Sequence, residues 1–259
     1  MAERAGPAPG AGVAVVTGSG RGIGRAVALR LDQAGYRLAL TARSRHELDE
    51  VRALCSGDVM VVAGDLTDAG FPDRLIDRVE ADLGPVAVLV ANAGASRSAL
   101  VTDTTDEDLQ AMLELNLVAP FRLLRRVLGG MTAEGFGRVV VVASVLARIG
   151  ATYAAAYAAS KHGVLGLVRS AALECAEHGV TVNAVCPGWV DTTATDENVA
   201  HVAGATGRPV EEVRAAFAAK QPIGRLLTPD EVAEAVMLCV EASGMNGQAL
   251  NVDGGAVLS

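Results

Sequence analysis

Val13-Ala14-Val15-Val16-Thr17-Gly18-Ser19-Gly20-Arg21-Gly22-Ile23-Gly24 is a short apolar run, rich in valine, that passes directly into four glycines in seven positions. A run without polar alternation suits a strand buried on both faces of a parallel sheet. Arg25 to Ala34 then carries Val27, Leu29 and Leu31 among its apolar positions at helical spacing, and Gly35 follows as a C-cap. The order is strand, glycine turn, helix. Side-chain-free positions let the backbone turn tightly and approach a pyrophosphate, while the first amides of the helix face the anion. The spacing Gly18-x3-Gly22-x-Gly24 is not the general GxGxxG fingerprint, but its place between a buried strand and a helix predicts a nucleotide site.

The remaining apolar runs repeat this alternation. Strands are expected at 37–41, 59–62, 86–91, 137–143, 180–185 and 248–252, with helices at about 46–56, 68–83, 106–128 and 154–178 and another after Thr228-Pro229. Strands alternating with helices, without a sequence repeat, predict one α/β domain: a doubly wound, Rossmann-type fold with a parallel seven-stranded sheet and helices on both faces. The Ala/Gly/Pro-rich residues 1–11 read as a flexible N-terminal tail and 12–259 as the domain. Residues 192–225 read as two short polar helices with Gly204, Gly207 and Pro209 between them, a candidate lid at the ligand-binding edge.

Composition narrows the function classes. The chain has 259 residues, 51% hydrophobic but only 3% aromatic, so a large core must be built from Ala, Val and Leu. A net charge of −8 argues against a nucleic-acid surface, which needs clustered Lys and Arg. Cys55, Cys175, Cys186 and Cys239 are widely spaced without a CxxC, so neither a metal site nor a disulfide framework is expected, and a reduced, cytoplasmic setting fits best. No export signal and no membrane span are expected, because no apolar h-region and no run of 18 apolar residues occurs.

The ends of the expected strands carry the polar residues. After the second strand stands Arg43, where NAD-binding folds place an acid to grip the ribose hydroxyls. A cation suits a 2′-phosphate, and Arg21 in the glycine turn could add a second, which favours NADP(H) and leaves NAD(H) as the alternative. Asp65-Leu66 and Asn92-Ala93-Gly94 follow the third and fourth strands, where an adenine and a ribose would lie. Asn116 sits on an otherwise apolar helix and needs a hydrogen-bond partner. Ser144 ends the fifth strand. Tyr157 and Lys161, four apart, share a helix face; a nearby ammonium would lower a phenol pKa from its usual value of about 10. His162 lies about 100° further round and reads as structural.

Taken together, these pieces resemble the short-chain dehydrogenase/reductase family over residues 12–257: Thr17-Gly18-x3-Gly22-x-Gly24, Asp65, Asn92-Ala93-Gly94, Asn116, Ser144, Tyr157-x3-Lys161, Pro187-Gly188 and Val252-Asp253-Gly254-Gly255 stand in the family's order. Ala91 departs from it conservatively, where a second Asn is frequent. The resemblance implies that Tyr157 protonates a carbonyl oxygen, that Ser144 orients it, and that Lys161 tunes Tyr157 and binds the nicotinamide ribose. It gives Asn116 a water linking Lys161 to solvent. It further implies that Gly18, Ser19, Arg21, Gly22, Ile23 and Gly24 run along the cofactor, with Asp65 and Leu66 by the adenine. Asn92, Ala93 and Gly94 would meet the ribose, and Pro187, Gly188, Val190 and Thr192 the nicotinamide end. No metal is implied.

Within the family, Ala159-Ser160-Lys161-His162-Gly163, Val182 to Trp189 and Pro222-Ile223-Gly224-Arg225 look most like reductases of 3-oxoacyl thioesters and like 3-hydroxybutyrate dehydrogenases. The loop 92–97 lacks the extra glycines of aromatic-polyketide ketoreductases, which points away from that variant. The expected reaction is NADPH-dependent reduction of a ketone, as a 3-oxoacyl thioester on an acyl carrier protein or coenzyme A. Alcohol oxidation is the alternative, and a non-catalytic cofactor-binding sensor is the alternative from another class. Arg97, Arg148 and Arg208 are candidates for a basic patch meeting the carrier. The resemblance also implies a homotetramer built on the two long helices and on the last helix with the final strand, with an Ala-rich face at Ala154, Ala155, Ala158 and Ala171.

Overall fold

The computed structural model describes residues 12–258, so the tail expected at 1–11 lies outside the described residues. The elements in order are β1 (Val13–Thr17), α1 (Gly22–Gln33), β2 (Arg37–Thr41), α2 (Arg45–Leu54), β3 (Val59–Val61), α3 (Phe71–Asp82), β4 (Val86–Ala91), α4 (Asp106–Leu113), a π-helical turn (Glu114–Val118), α5 (Ala119–Glu134), β5 (Gly137–Val142), α6 (Ala155–Cys175), β6 (Val180–Pro187), α7 (Thr193–Thr206), α8 (Val210–Ala218), α9 (Pro229–Glu241) and β7 (Ala249–Val252). The seven strands form one sheet in the order β3-β2-β1-β4-β5-β6-β7 with every pairing parallel. The expected doubly wound architecture is the observed one.

Strand parity shows why both faces are covered. Side chains alternate along a strand, so Val13, Val15, Leu89, Ala91, Val139 and Val141 pack with α3, α5 and α6. Their neighbours Ala14, Val16, Val88, Val90, Val140 and Val142 pack with α1, α2 and α9. Small and β-branched residues on both faces let helices approach closely, which an aromatic-poor chain requires. A third, smaller cluster joins Val199 and Ala203 of α7 to Val213 and Phe217 of α8, with Trp189 against it.

The chain steps outward from β1 to β2 and β3, then returns to place β4 on the other side of β1. That reversal opens a crevice at the carboxyl ends of β1 and β4, the place where ligands bind in such sheets.

Two elements differ from their sequence reading, the first being the lid, where Gly204, read as lying between its helices, is inside α7, which ends at Gly207 in the left-handed conformation. The helix expected at 106–128 continues to Glu134 and ends at Gly135 in the left-handed conformation, because Gly129 and Gly130 weaken a helix without stopping it. It is also interrupted by the π turn at Glu114–Val118. Pro120 explains the interruption. Proline brings no N–H and, in a regular α-helix, its ring presses on the carbonyl four residues back, here that of Asn116. A wider turn immediately before the proline relieves this, and such turns gather at functional positions.

At the start of α9, Thr228 and Glu231 form a reciprocal capping box, with the Thr228 N–H donating to the Glu231 carboxylate at 2.7 Å. Arg225 donates twice to the same carboxylate, at 2.8 and 2.7 Å. The Arg225 bonds first, and the Thr228 N–H next, hold the Glu231 carboxyl at about 2 instead of 4.5. Because the folded value is depressed, the stabilisation is complete above pH 4.5 and disappears as the pH falls through about 2. Glu231→Gln should therefore melt below wild type at neutral pH, and the gap should close across that window in circular-dichroism melts.

Candidate active site

The crevice is held open by a clamp at its floor. The Thr17 hydroxyl accepts the N–H groups of Asn92 and Ala93, each at 3.0 Å, tying the end of β1 to the end of β4. Asn92 returns the contact, its amide donating to the carbonyls of Thr17 (2.9 Å) and Gly18 (3.2 Å). Above the clamp the backbone turns through positive φ at Gly18 (63°) and Gly22 (55°), a region open to glycine without strain. A β-carbon at Gly24 would overlap the Gly18 carbonyl oxygen. The glycines thus place the turn and the start of α1 against the crevice.

Of the turn residues assigned to a cofactor, Gly18, Arg21, Gly22 and Ile23 line the cleft. Two do not. Ser19 is fully buried and donates to the Thr41 carbonyl at 3.4 Å, and Gly24 lies beneath the turn against Gly18. Asn92 reaches the cleft, but its amide donor is engaged by the clamp, so it braces the turn. Asp65 and Leu66 line the cleft beyond β3; bonds from the Thr67 N–H and hydroxyl, with Arg43 nearby, hold the Asp65 carboxyl below its usual range. Arg43 makes no hydrogen bond or ion pair with any described residue, whereas Arg45 is paired with Asp49 and Arg21 with Glu197 of α7 at 3.2 Å. Arg43 is the cation available at that end.

The chemistry-bearing residues converge deeper in the same cleft. Ser144, Tyr157 and Lys161 all line it. Lys161 is 4% exposed, with its Nζ donating to the Val142 carbonyl at 3.0 Å and lying 5.8 Å from the centre of the Tyr157 ring. Burial pulls its ammonium down to about 8 from the ordinary 10.5. Lys161 was expected to depress the Tyr157 phenol, but it is not among the groups that shift it. Burial pushes that phenol up, and its hydrogen bond with Ser144 pulls the other way. The lysine charge is held by a backbone carbonyl and not by the phenol oxygen.

Asn116 stands behind this centre, 1% exposed, at the middle of the π turn. Its amide oxygen accepts the Ala95 N–H at 3.1 Å, and its nitrogen donates to the Ala95 carbonyl (2.9 Å) and to Ser160 (3.1 Å). Ser160 in turn donates to the Tyr157 carbonyl at 2.7 Å. A β-carbon built on Gly94 would stand 2.9 Å from the Asn116 Oδ1 and 3.4 Å from the Lys161 Nζ. Gly94 therefore leaves a hollow bordered by both.

Pro187, Gly188, Val190 and Thr192 carry the chain from β6 along the cleft into α7. Buried Gln221 fixes this passage, accepting the Trp189 N–H at 2.8 Å and donating to the carbonyls of Trp189 and Arg225. Lys220 lies over the rings of Trp189 (5.3 Å) and Phe217 (5.0 Å). Thr17 and Ser160 stood in motifs quoted from the sequence without a role of their own, and Gln221 was not singled out; Pro120 was the available signal for the turn at Asn116.

The three arginines suggested for a basic patch each have a partner: Arg97 pairs with Asp108, Arg208 with Glu212, and Arg148 donates to the Ala249 carbonyl and Asn251 of β7. Of the Ala-rich face, Ala158 and Ala171 are buried within the chain. His162 Nδ1 bonds the Ala158 carbonyl at 2.9 Å on the exposed side of α6. All four cysteines are free. Among the described residues no group of His, Cys, Asp and Glu could hold a metal, and no helix is long and apolar enough to cross a membrane.

The cleft as a whole encloses about 2580 Å³, well above the roughly 300–1,000 Å³ of a site for one drug-sized ligand, so it has room for a dinucleotide and a second molecule together. The clamp predicts its own test. Thr17→Val keeps the shape but leaves the Ala93 N–H without an acceptor, the Asn92 N–H keeping the Val90 carbonyl at 3.1 Å, and chemical denaturation should show a loss of about 1–3 kcal/mol, while Thr17→Ser should retain most of the stability.

Comparison with known proteins agrees with this geometry. Residues 18–257 match a family model described as enoyl-(acyl carrier protein) reductase. A variant of actinorhodin polyketide ketoreductase, solved with NADPH, superposes with a TM-score of 0.90 at 38% identity, covering 94% of this chain and 96% of that one. The D-beta-hydroxybutyrate dehydrogenase of Cupriavidus necator is 35% identical, over 94% of this chain and 97% of its own. The 3-oxoacyl-(acyl-carrier-protein) reductase of Escherichia coli K12 is 33% identical, over 94% and 96%. The loop at 92–97 had pointed away from aromatic-polyketide ketoreductases, while a polyketide ketoreductase stands among the similar proteins at 38% identity. Matched along nearly its whole length, and with its Ser, Tyr and Lys gathered in one cleft, the chain belongs to the short-chain dehydrogenase/reductase family of oxidoreductases.

Proposed function

We propose that this protein reduces a ketone with NADPH, and that the ketone is a 3-oxoacyl thioester carried by an acyl carrier protein or coenzyme A. The observation that carries the reading is the meeting of Ser144, Tyr157 and buried Lys161 in a cleft continuous with the glycine turn. The names of the relatives, which include a polyketide ketoreductase and a 3-oxoacyl reductase, support the substrate class.

The residues present fit the cofactor. The glycine turn offers a close backbone approach for a pyrophosphate, and unpaired Arg43 supplies the charge that a 2′-phosphate needs. When bound, the nicotinamide supplies the hydride that adds to the carbonyl carbon. The protein orients the ketone and delivers the proton. Ser144 donates to the carbonyl oxygen and Tyr157 passes its phenolic proton to that oxygen as negative charge develops. A phenol pushed up by burial is in the protonated form that donation to a carbonyl oxygen requires. Lys161 holds the ribose hydroxyls, and we assign the hollow at Gly94 to a water that connects Lys161 with solvent beside Asn116.

The segment from α7 to α8 serves as the lid. It meets the glycine turn through Arg21 and Glu197, and the loop after β4 through Asn198 and Ser96 at 3.3 Å. The exposed Leu109, Phe121, Leu173 and Leu238 on α4, α5, α6 and α9 support assembly into a homotetramer, and a monomeric mass by light scattering would rule this out. We place the protein in the cytoplasm, where its four free thiols stay reduced.

The assay is oxidation of NADPH over a panel of 3-oxoacyl thioesters, with the corresponding enoyl thioesters alongside. Tyr157→Phe should lower kcat by about 10²–10⁴-fold; full turnover by that variant would remove Tyr157 from the proton step. Arg43→Ala should raise the KM for NADPH while leaving that for NADH nearly unchanged, and equal effects on both would show that Arg43 does not read the 2′-phosphate.

A further inference from the structure

Tyr153 is the one non-glycine position among the described residues with a positive φ, 64°. A bulky side chain in the left-handed region is a true outlier, since its β-carbon crowds the next carbonyl, and such strain persists only where its surroundings enforce it. Here the surroundings do. The Tyr153 carbonyl accepts the Ala99 N–H at 3.0 Å, and Ala99 and Ala154 form an isolated parallel bridge. These contacts stitch the loop after β4 to the chain just ahead of α6, four residues before Tyr157.

The stitch is a backbone feature and needs no aromatic ring. Glycine or asparagine would take the same conformation with less strain. The ring does not serve the core either: Tyr153 is 55% exposed, and its side chain makes no hydrogen bond or ring contact with a described residue. It lines the cleft instead. Leu100, next to the stitched Ala99, and Ile149, in the turn after Ser144, line the same cleft and are 44% and 41% exposed. In a chain with 3% aromatic residues, a strained and uncovered tyrosine beside two uncovered aliphatic side chains calls for a ligand.

We propose that Tyr153, together with Leu100 and Ile149, forms the apolar wall that receives the substrate's tail beyond the ketone, so that Tyr153 selects ketones with an extended aliphatic or aromatic tail over small ones. The inference rests on the ketone-reduction reading and adds to it a specificity residue. Contact with an apolar tail explains the exposure of a ring that sits on a backbone held strained by the stitch. The occupant is the substrate because the wall is continuous with the cleft that holds Tyr157 and Lys161.

The test compares wild type with Tyr153→Gly, Tyr153→Asn and Tyr153→Phe on 3-oxobutanoyl and 3-oxododecanoyl N-acetylcysteamine thioesters. The long-to-short ratio of kcat/KM should fall about tenfold in the Gly and Asn variants, through the KM of the long substrate. Their Tm should rise by about 2–4 °C as the strain is released. Tyr153→Phe, which keeps both ring and strain, should restore the ratio and the Tm. An unchanged ratio, a Tm that falls in both variants, or an altered light-scattering mass with the ratio intact would overturn the proposal, the last by making this wall an interface between copies of the chain. Calorimetric titration of NADPH-loaded protein with the two 3-hydroxyacyl products reads the same ratio without turnover. Discrimination there, without reduction of either ketone, would overturn the reduction reading alone.

Discussion

One hydroxyl group holds the site together. Thr17 ends the first strand and accepts two N–H groups from the start of the loop after the fourth, so strands separated by more than seventy residues finish in register at the sheet's reversal. Asn92 closes the clamp from the other side by donating to the carbonyls of Thr17 and Gly18. The glycine turn, the loop running to Ala95 and through it the position of Asn116 all follow from that junction. Buried donors without acceptors are costly, so the junction is stable in only one arrangement.

The second organising constraint is a proline. Pro120 cannot donate to the Asn116 carbonyl, and the helix widens before it. The widened turn presents the Asn116 amide to Ala95 and Ser160 together. Ser160 also bonds the Tyr157 carbonyl, so an irregularity in one helix fixes the neighbouring helix that carries the phenol and the ammonium. Burial then sets the electrostatics, raising the phenol and lowering the ammonium.

The sheet was readable because its physics is periodic. Continuous Val-rich runs such as Val86 to Ala91 and Gly137 to Val142 have few other uses, and glycine at 18, 22, 35 and 135 marks turns that need positive φ. The members of the site were readable from their order along the chain and their positions at strand ends. Their connections were not. Whether Asn92 faces a ribose or a carbonyl, whether Arg21 is free or paired, and whether Lys161 points at a phenol or a backbone oxygen depend on distances between segments far apart in sequence. The π turn was hidden for another reason: Leu113, Leu115, Leu117 and Val118 suggest an unbroken helix, and only the proline that follows reveals the break. Backbone strain at Tyr153 has no compositional trace at all.

Trp189 is the chain's single tryptophan, and it lines the cleft beside Phe217 with an ammonium lying over its ring. The protein therefore carries one indole fluorophore, located where α8 meets the cleft. When it is excited beyond the absorption of the three tyrosines, its emission comes from that place alone. Ligand entry, motion of the neighbouring helix and displacement of Lys220 would each change the surroundings of the same indole. The aromatic-poor composition that forced a core of valine and alanine thus also leaves a label-free optical probe at the mouth of the cleft.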